Sequence, residues 1–447
     1  MMRWSRGRRE LKINLETLTR CGGSCGGCML DPEERARGEL WPRESFERLS
    51  PFVSALIEDV SSREDLAEAS INMGPADHLL VPTDRPDEVL GWMRSVGGGR
   101  VVGFMTVSAV GRPDRIRPAA DAWRAAMDRR GQPMCVDMVF DPAKTRIERF
   151  HESYAGNIGH VRDAFGAIDL NLNVGPETPS AVSPEELHAF VRENGFANLT
   201  LNVVPNRLTA RAFAESWDEM SEWLGATLDA WRPDDSHGHN AVVAVAPYLE
   251  SEAESPVGEE GLDRLSSAIS EKASMEVLFD GSGRFFFSQA GFGDTPFSSR
   301  FGFSPSGSVE DPAFARRADG RPDAVSVLSS AARRFAASVL SDFARDRACQ
   351  GCPHVPTCSR AGIGVTRRVM GGRMEPDAGG CPVRMNGLLD AVRRAAERER
   401  DMAFHDRSTA GIWLPKGFEA DSVPHGIEAS FGTGAIDFGT LRPGGAE

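Results

Sequence analysis

The chain is predicted to be an α/β protein, in which an open barrel of six strand–helix units precedes a smaller C-terminal domain. Between residues 10 and 232, six short strand-like runs alternate with amphipathic helical stretches. Consecutive strand-then-helix units favour parallel strands joined by right-handed crossovers. Most of the 8 cysteines fall in two groups, one just after the first strand and one late in the chain.

The elements of the barrel follow one another in a regular order. The predicted strands are residues 11–19, 66–73, 100–109, 134–141, 168–174 and 199–204. The predicted helices are residues 42–60, 85–96, 117–130, 146–165, 183–194 and 210–231. Their apolar residues recur at three- and four-residue spacing, as Phe46, Leu49, Phe52 and Val53 do in the first helix. Ser183 is predicted to cap its helix, with Glu186 completing a capping box.

Six parallel strands of this length predict a partial (β/α)6 TIM-like barrel, whose function gathers at the C-terminal ends of the strands. Polar residues fall near those ends. They are Asn72, Ser108, Asp141, Asn173 and Asn206.

The remaining chain divides into shorter regions. Residues 1–10 are a flexible N-terminus and 11–232 the barrel, with a linker at 232–240. Residues 233–310 form a bridging region with a strand (241–249), a helix (262–270) and a β-hairpin (275–289) around Asp280-Gly281. A helix (325–346) leads through a C-terminal domain at 311–402. Residues 403–447 are a loosely ordered tail.

Composition excludes several classes of function. A net charge of −14 argues against a nucleic-acid groove, which needs a basic stripe. No apolar run approaches the roughly 20 residues of a membrane helix, and no secretory signal follows the arginine-rich start. We therefore expect a cytoplasmic protein without membrane or nucleic-acid partners, in which clustered thiols indicate metal binding or catalysis.

The first cysteine group is Cys21-x3-Cys25-x2-Cys28, set among glycines directly after the first strand. Three thiolates can hold a [4Fe–4S] cluster and leave one iron open, whereas a structural zinc site needs a fourth ligand. A reduced glycine-rich loop or an adventitious zinc site is the alternative. This motif at the end of the first of six βα units resembles the radical S-adenosylmethionine (SAM) superfamily.

The resemblance implies a mechanism. SAM binds the open iron, a reduced cluster cleaves it to a 5′-deoxyadenosyl radical, and that radical abstracts hydrogen from a substrate. Two departures from the family pattern stand out. Gly27 occupies the position of the usual aromatic residue before the third cysteine, which packs against adenine, and the Gly-Gly-Glu-like segment is reduced to the stretch at 72–79.

Several residues are predicted to contact SAM. Met73 and Gly74 are expected to offer backbone groups to its amino group. Asp77 is either an acid nearby or part of a simple turn. By position alone, Asp141, Asn173 and Glu177 are predicted to contact SAM or the substrate.

The second cysteine group is Cys349-x2-Cys352-x5-Cys358, with Cys381 further on. After a hairpin and a long helix, it resembles the SPASM/twitch domain of radical SAM peptide-modifying enzymes. Gly362 replaces one expected cysteine, and the one expected after the hairpin is missing, with Ser288 in that neighbourhood. The four that remain predict one further [4Fe–4S] cluster, or a zinc site with all four thiolates or with His354 in place of one.

Cys135 belongs to neither group. On its strand it shares a face with Asp137 and Asp141. If that face lines the barrel, Cys135 is a candidate hydrogen-atom donor and Asp137 a candidate proton donor. The alternative for Cys135 is a small buried hydrophobe.

The resemblance implies an oxidoreductase-type radical enzyme that modifies a peptide or protein side chain by cross-linking, oxidation or epimerisation, as maturases of ribosomal peptides do. Such an enzyme needs an electron donor such as flavodoxin or ferredoxin. With about ten residues before the first strand, it is expected to use a separate leader-binding protein or another pocket. The alternatives are the same chemistry on an amino acid, sugar or nucleoside, and a non-catalytic iron–sulfur or zinc protein.

Overall fold

The structure is a computed structural model, and it describes most of the barrel and parts of the chain that follows. The described residues are 9–21, 30, 32–62, 66–98, 101–141, 154–166, 168–202, 210–232, 237–239, 266–267, 269–270, 273–287, 305–311, 316–345, 391 and 394–395. None of the helices in these ranges is both long and apolar enough to span a bilayer.

One sheet contains all ten strands of the described residues. The strands are β1 (Arg9–Leu18), β2 (Leu66–Pro75), β3 (Val101–Val107), β4 (Met134–Phe140), β5 (Ile168–Asn173), β6 (Asn198–Asn202), β7 (Gly238–His239), β8 (Glu276–Phe279), β9 (Arg284–Phe287) and β10 (Gly307–Ser308).

The helices lie between the strands and after them. They are α1 (Pro32–Arg37), α2 (Arg43–Ser61), α3 (Pro86–Gly97), α4 (Pro113–Arg130), α5 (Gly156–Phe165), α6 (Thr178–Ala181), α7 (Pro184–Glu193), α8 (Ala210–Glu215), α9 (Trp217–Ala230) and α10 (Ala324–Arg345). A short 3₁₀ helix, His78–Leu80, follows β2.

The sheet confirms the predicted fold class. Strands β1 to β6 lie side by side in chain order, and each pairs in parallel with the next. Helices α2, α3, α4 and α5 pack against one another in the same order. This is a partial TIM-like barrel, with the carboxyl ends of all six strands at one rim.

The predicted hairpin is confirmed, and it extends the sheet. β8 pairs in parallel with β1 on the side away from β2, and β9 pairs antiparallel with β8. The ring of Phe52 on α2 contacts those of Phe279 and Phe285 at 5.8 and 6.3 Å between centroids, and Phe287 contacts Phe335 on α10. Burying such rings stabilises each by about 1.5–3 kcal/mol, so the hairpin is held by the helices that cover the barrel.

The structure corrects three predicted boundaries. α4 begins at Pro113 rather than residue 117, because Pro113 occupies the first turn, where a missing N–H costs nothing; Pro118 lies inside the helix. The predicted helix 210–231 is two helices, interrupted at Ser216 by backbone angles of −104° and 7°. The linker predicted at 232–240 contains β7, which pairs in parallel with β6.

Other predicted elements are only partly described. The strand at 241–249 lies outside the described residues, as do residues 146–153 of the predicted fourth helix and most of 262–270. The capping box is confirmed: Ser183 Oγ accepts from Glu186 N at 3.2 Å, and Ser183 N donates to Glu186 Oε2 at 2.8 Å.

Candidate active site

The side chains of β4 alternate between two environments. Met134, Val136, Met138 and Phe140 are buried, and the ring of Phe140 stacks on Phe190 of α7 at 4.7 Å. The intervening residues are only half-buried and point to the opposite face of the sheet, because strand side chains alternate. Cys135 and Asp137 therefore lie on the helix-free face that lines the barrel; their catalytic roles stay predictions.

Strand register assembles a polar surface on this face. Asn14, Asn72, Phe104 and Cys135 stand side by side on β1 to β4. Two residues nearer the rim, a second row contains Thr106, Asp137 and Asp169. On the neighbouring strand β6, Asn198 donates to the carboxylate of Asp169 at 2.8 Å. This concentration of carboxylates and amides can bind a polar ligand inside the barrel.

Cys21 stands at the rim, three residues beyond the end of β1. Its N–H donates to the carbonyl of Arg35 at 3.2 Å, and its side chain is half-buried against the core. The preceding carbonyl, that of Arg20, accepts from Asp77 N at 3.2 Å. The start of the cysteine segment is thus attached both to α1 and to the end of β2.

The remaining predicted metal ligands lie outside the described residues. They are Cys25, Cys28, Cys349, Cys352, Cys358 and Cys381, and Gly27 lies outside as well. Within the described ranges, no three His, Cys, Asp or Glu side chains gather as a metal site. The placement of Cys21 fits an iron–sulfur cluster, because its thiol sits at the catalytic rim with two more thiols four and seven residues on.

Asp77 forms a buried hydrogen-bonded turn after β2. One carboxylate oxygen accepts from Leu79 N at 3.1 Å, which caps the 3₁₀ helix, and the other accepts a short hydrogen bond from the hydroxyl of Ser108. Burial raises the pKa of the Asp77 carboxyl above its ordinary value, although both hydrogen bonds oppose the shift. The turn expected at Asp77 is present; a contact with SAM stays a prediction.

The other predicted SAM contacts differ in their placement. Gly74 follows Asn72 on the helix-free face of β2, whereas the side chain of Met73 is buried on the opposite face, so only its backbone is available to a ligand. Asp141, directly after β4, is buried. Asn173 lies in register with Asn202, and Glu177 is exposed just before α6. The structure thus places these residues at the rims of β2, β4 and β5.

His78 lies among the candidate site residues although no motif in the sequence marks it. Its ring is fully buried, with Nδ1 3.1 Å from the carbonyl oxygen of Thr106 and Nε2 3.1 Å from the hydroxyl of Thr17. A carbonyl only accepts, so Nδ1 carries the proton and Nε2 accepts from Thr17. Burial lowers the pKa of His78 to about 4, which keeps the ring neutral. Its position after a strand end was the one available signal.

The segment after β3 is fixed by a distant asparagine. Asn157 on α5 donates through Nδ2 to the carbonyls of Ala109 and Gly111, both at 2.8 Å. Ala109 has a φ of 47°, the left-handed region that non-glycine residues rarely adopt. Ser108 immediately precedes it, so Asn157 helps to hold the hydroxyl that contacts Asp77.

A cavity of about 360 Å³ opens between the end of β1 and the turn of the hairpin. Glu16, Glu39 and Trp41 line it on the barrel side. Asp280 and Arg284 line it on the hairpin side, where they form an ion pair. Thr19, which also lines it, is two residues before Cys21, so the cavity adjoins the rim.

Comparison with known proteins shows the fold. No protein-family model and no curated protein matches the chain. Among solved structures, a histidine-tagged anSMEcpe with bound AdoMet is 9% identical, with a TM-score of 0.52, covering 88% of this chain and 98% of that one. Native anSMEcpe with bound AdoMet is 10% identical, with a TM-score of 0.50, covering 88% and 100%.

A third anSMEcpe structure contains AdoMet and the Kp18Cys peptide. It is 10% identical, with a TM-score of 0.51, and again covers 88% of this chain and 100% of that one. The chain therefore has the fold of anSMEcpe, and its sheet contains the six βα units that the sequence predicted.

Proposed function

We propose that this protein is a radical SAM enzyme that abstracts hydrogen from a peptide or protein side chain. One observation carries the proposal: Cys21, the first residue of Cys-x3-Cys-x2-Cys, stands at the carboxyl end of β1 in the fold of anSMEcpe. In a barrel of parallel strands this rim is where catalytic groups gather.

The residues that would hold the cluster are Cys21, Cys25 and Cys28. When bound and reduced by an external donor, the cluster would supply the single electron that cleaves SAM, and SAM would supply the radical that abstracts hydrogen. The backbone at Met73 and Gly74 is proposed to bind SAM, with Asp141, Asn173 and Glu177 at the neighbouring strand ends.

The chain's own residues orient the reactants. The Asp77–Ser108 and His78–Thr17 hydrogen bonds fix the ends of β1, β2 and β3 relative to one another. The lining of the barrel allows a substrate bound within it to be held away from bulk water. Either of two residues on that lining is proposed to act on the substrate radical: Cys135 would return a hydrogen atom to it and become a thiyl radical, or Asp137 would donate a proton and become a carboxylate.

A peptide substrate is supported by the fold comparison, because one anSMEcpe structure carries a bound peptide. We extend the proposal to a second [4Fe–4S] cluster held by Cys349, Cys352, Cys358 and Cys381 in a SPASM/twitch-like domain, to an electron donor such as flavodoxin or ferredoxin, and to a leader-binding protein.

The test is anoxic reconstitution with iron and sulfide, followed by addition of dithionite and SAM. We expect wild-type protein to form 5′-deoxyadenosine, detected by mass spectrometry, and the Cys21→Ala variant to form none. Each cluster holds four irons, so Cys21→Ala should lose about four irons per chain. The matched control is Cys135→Ala, which should keep the wild-type iron content.

Two results would contradict the proposal. One is reconstituted wild-type protein that forms no 5′-deoxyadenosine; the other is a Cys21→Ala variant that retains both its iron and its SAM cleavage. Zinc in place of iron at the second cysteine group would contradict only the proposal of a second [4Fe–4S] cluster.

A further inference from the structure

Two asparagines form an amide pair on the lining of the barrel. Asn14 on β1 and Asn72 on β2 are in register, and Asn72 Nδ2 donates to Asn14 Oδ1 at 3.2 Å. Asn14 is 1% exposed. Because β strands rise ~3.3 Å per residue, Asn14 lies about 13 Å below the end of β1, inside the barrel rather than at its rim.

The pair leaves one donor and one acceptor unsatisfied. Asn14 Nδ2 and Asn72 Oδ1 are buried, and neither has a hydrogen-bond partner within the part of the chain that the structure describes. Flipping both side-chain amides exchanges Oδ1 and Nδ2 in each residue, but it still leaves one donor and one acceptor unsatisfied. Buried polar groups are almost always hydrogen-bonded, so this arrangement indicates a partner that accepts from one asparagine and donates to the other.

Within its own row of the sheet the pair has apolar neighbours, whereas Lys12 and Ser70 lie two residues further from the rim on the same face. On the β8 side Asn14 is in register with Leu278, which forms with Phe286 a small apolar cluster separate from the main core. On the β3 side Asn72 is in register with Phe104. A ligand group at this position therefore meets one donor and one acceptor, with Leu278 and Phe104 on either side of it in the row.

A secondary amide has the complementary chemistry. Its carbonyl accepts from Asn14 Nδ2 while its N–H donates to Asn72 Oδ1, and the carbon atoms on either side contact Leu278 and Phe104. An ester or a carboxylate lacks the N–H and leaves the Asn72 oxygen buried and unsatisfied, which is costly. The pair thus distinguishes an amide from an ester or a carboxylate, because it requires an N–H donor on the ligand as well as a carbonyl acceptor.

We infer that Asn14 and Asn72 are substrate-positioning residues that bind a peptide amide group within the barrel. The inference rests on the proposed function and specifies how that site holds its substrate. Neither residue takes part in the bond-breaking step.

The test measures binding of N-acetylglycine N-methylamide, a minimal peptide, to the cluster-loaded protein with SAM, by saturation-transfer difference NMR. The comparison ligand is methyl acetoxyacetate, in which oxygen replaces every N–H. We expect the ester to bind about three- to tenfold more weakly than the amide, which is the usual effect of one lost hydrogen bond. Equal dissociation constants for amide and ester would overturn the inference, and this comparison needs no variant.

Variants locate the binding to the pair. Asn14→Leu and Asn72→Leu should each raise the dissociation constant of N-acetylglycine N-methylamide by about three- to tenfold. Asn72→Ser is the milder replacement if a leucine variant does not fold. The matched control is Asn194→Asp at the end of α7, which should bind as wild type. Unchanged affinity in folded Asn14 and Asn72 variants would show that the ligand does not bind to the pair, and would reject the inference.

Failure of the amide-binding inference can be distinguished from failure of the proposed function. The same preparations are assayed for 5′-deoxyadenosine without peptide. SAM cleavage together with equal amide and ester binding rejects the amide site alone, whereas absence of SAM cleavage rejects the enzyme.

Discussion

The N–H of Asp77 donates a hydrogen bond to the carbonyl oxygen of Arg20, 3.2 Å away. This contact joins the residue before Cys21 to the turn after β2, where the side chain of Asp77 is itself held by Ser108. The segment that enters the cysteine motif is therefore aligned by strands β2 and β3, and the geometry of the rim depends on a few buried polar residues.

Asp77 should make stability decrease as pH rises. Its folded-state pKa is raised by burial, so the folded protein binds a proton more tightly than the unfolded chain. As pH rises from 3.8, the ordinary pKa of the carboxyl, to its raised pKa in the folded protein, ionisation of Asp77 lowers the free energy of unfolding. In urea denaturation between pH 4 and 8, the free energy of unfolding of the Asp77→Asn variant should increase relative to that of wild type as pH rises. A constant difference across this range would contradict the assignment.

His78 should act in the opposite direction. Its pKa is lowered from 6.5 to about 4, so the unfolded chain binds the proton more tightly and stability falls as pH drops through that window. A shift of this size corresponds to about 3 kcal/mol. Denaturation of His78→Gln should lack this acid-dependent loss, although the variant is less stable at pH 7 because the contacts with Thr17 and Thr106 are gone.

A surface histidine provides the control for His78. His160 contacts Arg117 at the protein surface. If His160→Gln removed the acid-dependent loss and His78→Gln did not, His78 would not be its source.

Asn157 should be required for the order of the segment after β3. Asn157→Ala removes one buried and one partly buried hydrogen bond, each with a net contribution of about 0.5–1.5 kcal/mol, so we expect a loss of about 1–3 kcal/mol. Amide hydrogen exchange at 108–111 should accelerate by more than global destabilisation requires. Asn194→Ala, which loses one partly buried hydrogen bond to Phe190, should destabilise less and leave that exchange unchanged.

Gly103 should not tolerate a larger residue. A Cβ at this position on β3 would lie 2.1 Å from Met134 Sδ and 3.1 Å from Met93 Sδ, in a packed core. We expect Gly103→Ala to lower the free energy of unfolding by about 1–3 kcal/mol.

Gly159 provides the matched control. It is exposed within α5, and a Cβ there has no neighbour within 4 Å. Alanine favours a helix by about 1 kcal/mol over glycine, so Gly159→Ala should be neutral or more stable in the same denaturation experiment. Equal destabilisation of the two variants would show that the loss at Gly103 does not come from overpacking.

The barrel could be predicted because its signals are local. Each of the six predicted strands overlaps an observed one, since runs of apolar residues bounded by turns reflect backbone preferences over a few residues. The same reasoning misassigned β7, a two-residue strand inside the predicted linker. So short a strand has no pattern of its own and exists through its pairing with β6.

The candidate site was predictable only in part. The face of β4 that carries Cys135 and Asp137 followed from alternation. The contacts of His78 with Thr17 and Thr106 did not, because they join residues 61 and 28 positions apart along the chain. Nothing in the sequence near Ser108 indicates that its hydroxyl meets the carboxylate of Asp77.

The order of residues alone was enough to establish the alternation of strands and helices, the cysteine spacing and the faces of each strand, because these depend on backbone periodicity. Only the folded sheet decided three other features. These are the strands that pair beyond β1 and β6, the contacts between buried polar atoms, and the hydrogen bond between the two asparagines. Only there does packing place distant side chains within hydrogen-bonding distance and remove water from them.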